Sequence, residues 1–259
     1  SLCLSMIANG ASGNTLSEMT DVLGFSGYSL EEMNNYNKKL VEALLDLDNT
    51  TQLGIANSIW IKKGFGVHDD FVSVNKKMYD AQVQELDFAS PKAPDIINGW
   101  CAGKTNNCIP KVLNEIPETA RLYLLNALYF KGIWKNQFKK SDTAEEAFTN
   151  ADGSKSTVHM MNLRDERFNY AENEYFSMAE LPYGNEAFSM VVLLPAEGKS
   201  LDECLPQLND ERWGEWNSSL SSSALNLKLP RFEMEYDKEL IDDMMAMGMK
   251  EAFIPFADF

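Results

Sequence analysis

Apolar residues at 33, 36, 40, 41, 44, 45 and 47 recur at helical spacing with Lys38 and Lys39 on the wet side, which predicts a long helix from Met33 to Leu47. Upstream, residues 1–9 are apolar and small. Gly10-Ala11-Ser12-Gly13-Asn14 then breaks the pattern, and Thr15 with Glu18 has the spacing of a capping box, so helix, turn and helix are expected there. The period then changes. Leu53 to Ile61 reads as a strand, Gly64-Phe65-Gly66 as a turn, Asp70 to Tyr79 as a short helix and Gln82 to Phe88 as a second strand. After Pro91 and Pro94, a helix from Asp95 to about Lys104 leads through Asn106-Asn107 to a loop containing Pro110 and Pro117.

The densest apolar run follows, Leu122-Tyr123-Leu124-Leu125 continuing into Asn126-Ala127-Leu128-Tyr129-Phe130-Lys131-Gly132-Ile133-Trp134. It predicts a strand covered on both faces, with Asn126 as the one polar group inside it, then a sharp turn and a large aromatic. A buried amide needs partners, because leaving it unpaired costs roughly 1–3 kcal/mol. Asn126 is then either a satisfied structural group or a tie between adjacent strands.

Beyond Trp134 the alternation has period two. Thr157 to Met161, Tyr175 to Leu181, Phe188 to Leu194 and Leu225 to Phe232 predict antiparallel strands, and Asp237 to Met247 a helix. The class is α+β. No repeat or composition break divides the chain, and Ser218 to Ser223 reads as a short polar loop, so residues 1–259 are expected to form a single domain.

At 259 residues, 44% hydrophobic and 24% charged, the chain has the composition of an ordinary globular protein able to bury about 70–75% of its unfolded surface. Acidic residues outnumber basic ones, 39 to 23, and the net charge of −16 argues against nucleic acid as a partner. No apolar run reaches the length of about eighteen residues that a membrane span needs, so no membrane partner is expected. Cys3, Cys101, Cys108 and Cys204 fit neither a zinc pattern nor a disulfide framework. On one helix, Cys101 and Cys108 would lie about 10 Å apart, too far for a disulfide. Idle thiols are expected, and neither metal nor cofactor.

Motifs for chemistry are absent. Gly103-Lys104-Thr105 looks like the end of a phosphate-binding loop, but its first glycine would fall on Asn98. The two histidines, His68 and His159, adjoin no nucleophile elbow, and pairs such as Glu145-Glu146 and Asp242-Asp243 read as solvated surface. Met244, Met245, Met247 and Met249 read as core filling. Asn49-Thr50-Thr51 and Asn217-Ser218-Ser219 fit the glycosylation sequon, a short pattern that arises by chance. The chain is not expected to be an enzyme.

Taken in order, the motifs resemble the serpin family over essentially the whole chain. Gly10 to Thr15 is similar to the end of the family's helix B, and Ala56-Asn57-Ser58-Ile59-Trp60 to the second strand of its large A sheet. Asn126 to Trp134 with Phe138 resembles strand 3A and its exit through the breach. Val158 to Met161, Glu180 to Tyr183 and Ser189 to Pro195 are similar to strands of the B and C sheets. Leu229-Pro230-Arg231-Phe232, followed by Leu240 to Gly248 and Ala252-Phe253, resembles strand 6A and the helix beyond it.

The resemblance implies a serpin fold, with a large, mostly antiparallel A sheet, B and C sheets and about eight or nine helices. It implies a one-use inhibitor of serine proteases, with cysteine proteases an extension. The protease acylates itself on a reactive loop, which then inserts as a strand into the A sheet and traps the acyl-enzyme. Asn126 would lie in the shutter, where that sheet parts, and Lys131, Gly132 and Trp134 in the breach, where insertion begins. By the same resemblance the protein is secreted or extracellular and a monomer when complete. Helix A and the helix B serines that would partner Asn126 are not in this sequence. Neither are strand 5A, the hinge, the reactive loop and the last B-sheet strands, so the target protease is not readable. A non-inhibitory serpin with a carrier, chaperone or storage role is the alternative.

Overall fold

The computed structural model describes residues 1–259. In chain order the elements are α1 (Leu2–Ala8), α2 (Gly13–Val22), α3 (Leu30–Asp46), β1 (Gln52–Lys62), α4 (Asp69–Tyr79), β2 (Gln82–Leu86), α5 (Ala93–Lys104) and β3 (Leu122–Lys131). Then come β4 (Ala144–Thr149), β5 (Lys155–Glu172), β6 (Phe176–Pro182), β7 (Ser189–Pro195), α6 (Leu201–Cys204), α7 (Asp210–Ser219), β8 (Ser221–Pro230) and α8 (Ile241–Met247). The α+β class is borne out. Backbone contacts divide the chain into one unit of Ser1–Leu47, Gln52–Lys131 and Asp237–Phe259, and another of Asp48–Thr51 and Gly132–Tyr236.

In the first unit the strand order is β2-β1-β3, with β1 parallel to β2 and antiparallel to β3. Strand alternation sends Ile59 and Ile61 into a core with Met6, Phe71, Tyr79 and Ala81, while Trp60 joins Leu86, Phe88, Ala93 and Ile97. Helices α1 and α4 therefore cover one face of β1 and α5 the other. Ser29 and Glu32 form the capping box that starts α3, and Pro94 sits in the first turn of α5, where its missing N–H costs nothing.

Three expectations change here. Helix α2 begins at Gly13, so Thr15 and Glu18 lie inside it and form no capping box. Instead Thr15 Oγ1 accepts from the Asp258 N–H, and Glu18 Oε2 accepts from the N–H groups of Lys250 and Glu251. The last helix starts at Ile241, not Asp237, because residues 231–240 adopt no regular structure. Strand β3 is not covered on both faces, since Asn126 and Leu128, two residues apart and so on one face, are exposed.

The second unit is one five-stranded sheet, β4-β5-β6-β7 with β8 also paired to β5. Strand β5 is 18 residues long and its register with β8 shifts between Leu163 and Glu166, where Asp165 has φ 55°. Leu163, Phe168, Ala179, Leu181 and Leu229 form one core cluster, and Phe176, Met178, Cys204 and Trp216 another, the latter drawing Trp216 from α7. Ser221, Ser222 and Ser223 are the first residues of β8, so the expected polar loop is strand there. Leu229 and Pro230, which resembled strand 6A, end β8 and pair with Met161 and Met160 of β5. All four cysteines are free, with Cys101 and Cys204 buried and Cys108 exposed.

Candidate functional site

Asn126 faces Asn57 across the β1–β3 ladder, and its Nδ2 donates to Asn57 Oδ1 at 2.8 Å. Asn57 is buried, and its own Nδ2 donates to the Tyr79 carbonyl at 2.7 Å. Tyr79 is the last residue of α4, so this carbonyl has no acceptor role within the helix, and the strand amide caps it. Asn126 thus ties β3 to β1 through a buried partner, although it is itself exposed. Lys131 closes the same ladder opposite Gln52 and is exposed.

Asn126, expected in the shutter, and Lys131 lie in the first unit, while Gly132 and Trp134, expected with Lys131 in the breach, belong to the second. Trp134 forms an isolated bridge with Tyr183, and their rings stack with centroids 4.2 Å apart and planes 16° from parallel. Phe138 meets Trp134 edge-on at 6.3 Å. The backbone is pinned alongside: the Gly184 N–H donates to Ile133 O at 2.8 Å and the Lys135 N–H to Pro182 O at 3.0 Å. Burial pushes the Tyr183 phenol up from its ordinary pKa. Half-buried Trp134 is therefore a plate held against the β6–β7 turn.

That turn carries a contact the sequence reading missed. Asp48 accepts from the Thr50 N–H at 2.7 Å, the Thr50 hydroxyl at 2.6 Å and the Thr51 hydroxyl at 2.5 Å. It also accepts from the Asn185 backbone. Burial alone would raise its pKa, but these hydrogen bonds from Thr50, Thr51 and Asn185 outweigh burial and hold the carboxyl below its usual value. Gly184 has φ 38°, and a Cβ there would overlap Thr50 Oγ1. The Asp48-Asn49-Thr50-Thr51 run is the signal that was available, an acidic side chain bonding the backbone two residues on.

A family model described as "Serpin (serine protease inhibitor)" matches residues 1–259. Neuroserpin of Gallus gallus is 30% identical over 267 residues, covering 99% of this chain and 65% of its own length. Serpin B4 of Homo sapiens is 32% identical, covering 98% of this chain and 71% of its own length. Among solved structures, native tengpin, a thermophilic serpin, superposes with a TM-score of 0.89 at 32% identity, covering 99% of this chain and 66% of that one.

The chain belongs to the serpin family.

This serpin spans just under two thirds of the chicken neuroserpin it matches, 65% of its length. Its fold is the serpin fold, and the motifs that carried the resemblance lie at the start of α2, on β1, β3, β5, β6 and β7, at the end of β8 and on α8. No group of three or more His, Cys, Asp or Glu side chains converges as a metal site, and no helix is long and apolar enough to cross a membrane.

Proposed function

We propose that this serpin, in its whole form, inhibits serine-type endopeptidases as a one-use substrate. The protease's nucleophile would attack a reactive-loop peptide bond and form an acyl-enzyme, and the cleaved loop would insert as a strand beside β3 before water hydrolyses the acyl bond. On this reading both units belong to one serpin domain, Asn126 acts at the shutter, Lys131, Gly132 and Trp134 act at the breach, and the partner is a serine or cysteine protease met outside the cell.

The observation that carries it is the match of the whole chain, residues 1–259, to the serpin family model, together with the tie of Asn126 on β3 to Asn57 on β1 in the sheet that would receive the loop. The family description, a serine protease inhibitor, supports the same reading.

The test is a denaturing gel of the loop-bearing protein after brief incubation with trypsin-like, chymotrypsin-like, elastase-like and papain-like proteases. A stable adduct of higher mass is the expected result. Cleavage with no adduct across the panel would overturn it in favour of a non-inhibitory serpin.

A further inference from the structure

The two glycosylation sequons, at Asn49 and Asn217, are placed differently by the fold. Asn49 lies in the turn between α3 and β1, exposed, with no hydrogen bond from its side-chain amide to the protein. Thr51, whose hydroxyl completes that sequon, is 7% exposed and donates to Asp48 Oδ2, and the Thr50 hydroxyl is held by the same carboxylate. The turn is closed by residues from much later in the chain, since Gly184 packs on Thr50 and the Asn185 backbone donates to Asp48. Asn217 is exposed too, but it lies within α7, where the Ser218 and Ser219 hydroxyls donate to the Gly214 and Trp216 carbonyls at 2.7 Å each. Its neighbour Trp216 clusters with Phe176, Met178 and Cys204, all of which precede it. Order of synthesis therefore separates the two sequons. At about 5–20 residues per second, Gly184 follows Asn49 by on the order of 10 s. Until then the Asp48 turn lacks the segment that closes it, whereas α7 meets partners already made.

We infer that Asn49 is a site of N-linked glycosylation and Asn217 is not, the sugar being added before the Asp48 turn closes. The donor is an oligosaccharide carried on a polyprenyl pyrophosphate. A bond forms between Asn49 Nδ2 and the anomeric carbon, the bond from that carbon to the pyrophosphate oxygen breaks, one amide proton passes to a carboxylate of the transferase, and polyprenyl pyrophosphate leaves. The transferase recognises the Thr51 hydroxyl, which is free in the open turn and engaged by Asp48 in the closed one. In the folded protein the sugar projects from an exposed position and displaces no contact of the Asn49 side chain. The inference rests on the reading above only in that it places the protein outside the cell, on the route where such transferases act.

Expression of the loop-bearing protein behind a secretory leader in cultured eukaryotic cells tests it. Peptide-N-glycosidase should lower the apparent mass by one step and convert Asn49 to Asp, read by peptide mass spectrometry, with Asn217 unchanged. Asn49→Gln should abolish the shift, and Asn217→Gln should leave it as in wild type. The timing is read on unglycosylated protein made in bacteria and given purified oligosaccharyltransferase with the lipid-linked oligosaccharide. Folded wild type should accept sugar about ten-fold more slowly than Asp48→Ala, whose turn cannot lock. No shift in wild type, or sugar at Asn217, would overturn the site, and equal rates would overturn the timing. The mass reading on wild type needs no variant, and should Asp48→Ala fail to fold, Gly184→Ala, which displaces Thr50, decides by the same comparison. A missing protease adduct with the sugar present would sink the inhibitor reading alone, and an adduct without the sugar would sink the site alone.

Discussion

Gly184 lies so close to Thr50 that no side chain can be added at position 184 without displacing the Thr50 hydroxyl from Asp48. Its φ of 38° adds backbone strain to that overlap. Gly184→Ala is therefore expected to cost about 2–4 kcal/mol, measured by urea unfolding. A cost no greater than that of Gly198→Ala, where φ is 81° and the space is open, would show that strain and not the overlap decides.

Asp48 gives this contact a pH signature. Its folded pKa lies below the unfolded value of about 3.9, so the stability it contributes is present above that value and is lost as pH falls through the folded pKa. Asp48→Asn should be less stable than wild type at neutral pH, with the gap closing as the pH is taken down. A gap that stays constant from neutral to acid would count against the charge as its source.

Trp134 is half-buried between Tyr183 and Phe138. Trp134→Ala should cost about 2–3 kcal/mol, less than for a fully buried tryptophan, and Trp134→Phe about half as much. In the loop-bearing protein, the proposed place of Trp134 in the breach further predicts faster polymerisation on mild heating. Size-exclusion chromatography after timed heating reads it, and polymer formation no faster than wild type would remove Trp134 from that role.

Asn57 and Asn126 share one hydrogen bond but differ in burial. Asn57→Ala strands the Tyr79 carbonyl and should cost about 2 kcal/mol, whereas Asn126→Ala should cost about 1 kcal/mol or less. A double-mutant cycle should return a coupling of about 1 kcal/mol. Equal single-mutant costs would mean that burial does not set the hierarchy.

Ser29 and Glu32 make the capping box of α3, with the Ser29 side chain accepting from the Glu32 N–H at 3.2 Å. Ser29→Ala should lower stability by about 1 kcal/mol. Thr15→Ala should act elsewhere, loosening the Asp258 segment as seen by limited proteolysis near the C-terminus, because Thr15 caps nothing.

Much of the fold was legible because burial leaves a periodic trace. Strands β1 and β3 and helices α3, α4 and α5 were readable from apolar spacing, since each presents a regular face to a core. The misreadings have local causes. Thr15 and Glu18 have capping-box spacing as Ser29 and Glu32 do, and only the actual start of the helix, at Gly13, tells them apart. The strand expected as far as Phe232 ends at Pro230 and the helix expected from Asp237 starts at Ile241, because between them Phe232, Met234 and Tyr236 are 58%, 77% and 82% exposed and nothing pairs with or packs on the segment as regular structure. Alternation requires a paired edge to become a strand. Helix α7 went unread because only Trp216 of its ten residues is buried. Asn126 was singled out on its sequence setting, but its bond to Asn57 and the Asp48 contact depend on partners 69 residues away and on a backbone turn, which periodicity does not encode.

Strand β5 holds three neighbours at once, pairing with β4, β6 and β8 along its length. A slip of one residue would turn every side chain of β5 to the opposite face and break all three ladders together. Its alignment is therefore an all-or-none property of the sheet. During folding, the irregularity at Leu163 and Glu166 serves as an index mark, since only one placement of β8 against β5 accommodates it on both sides.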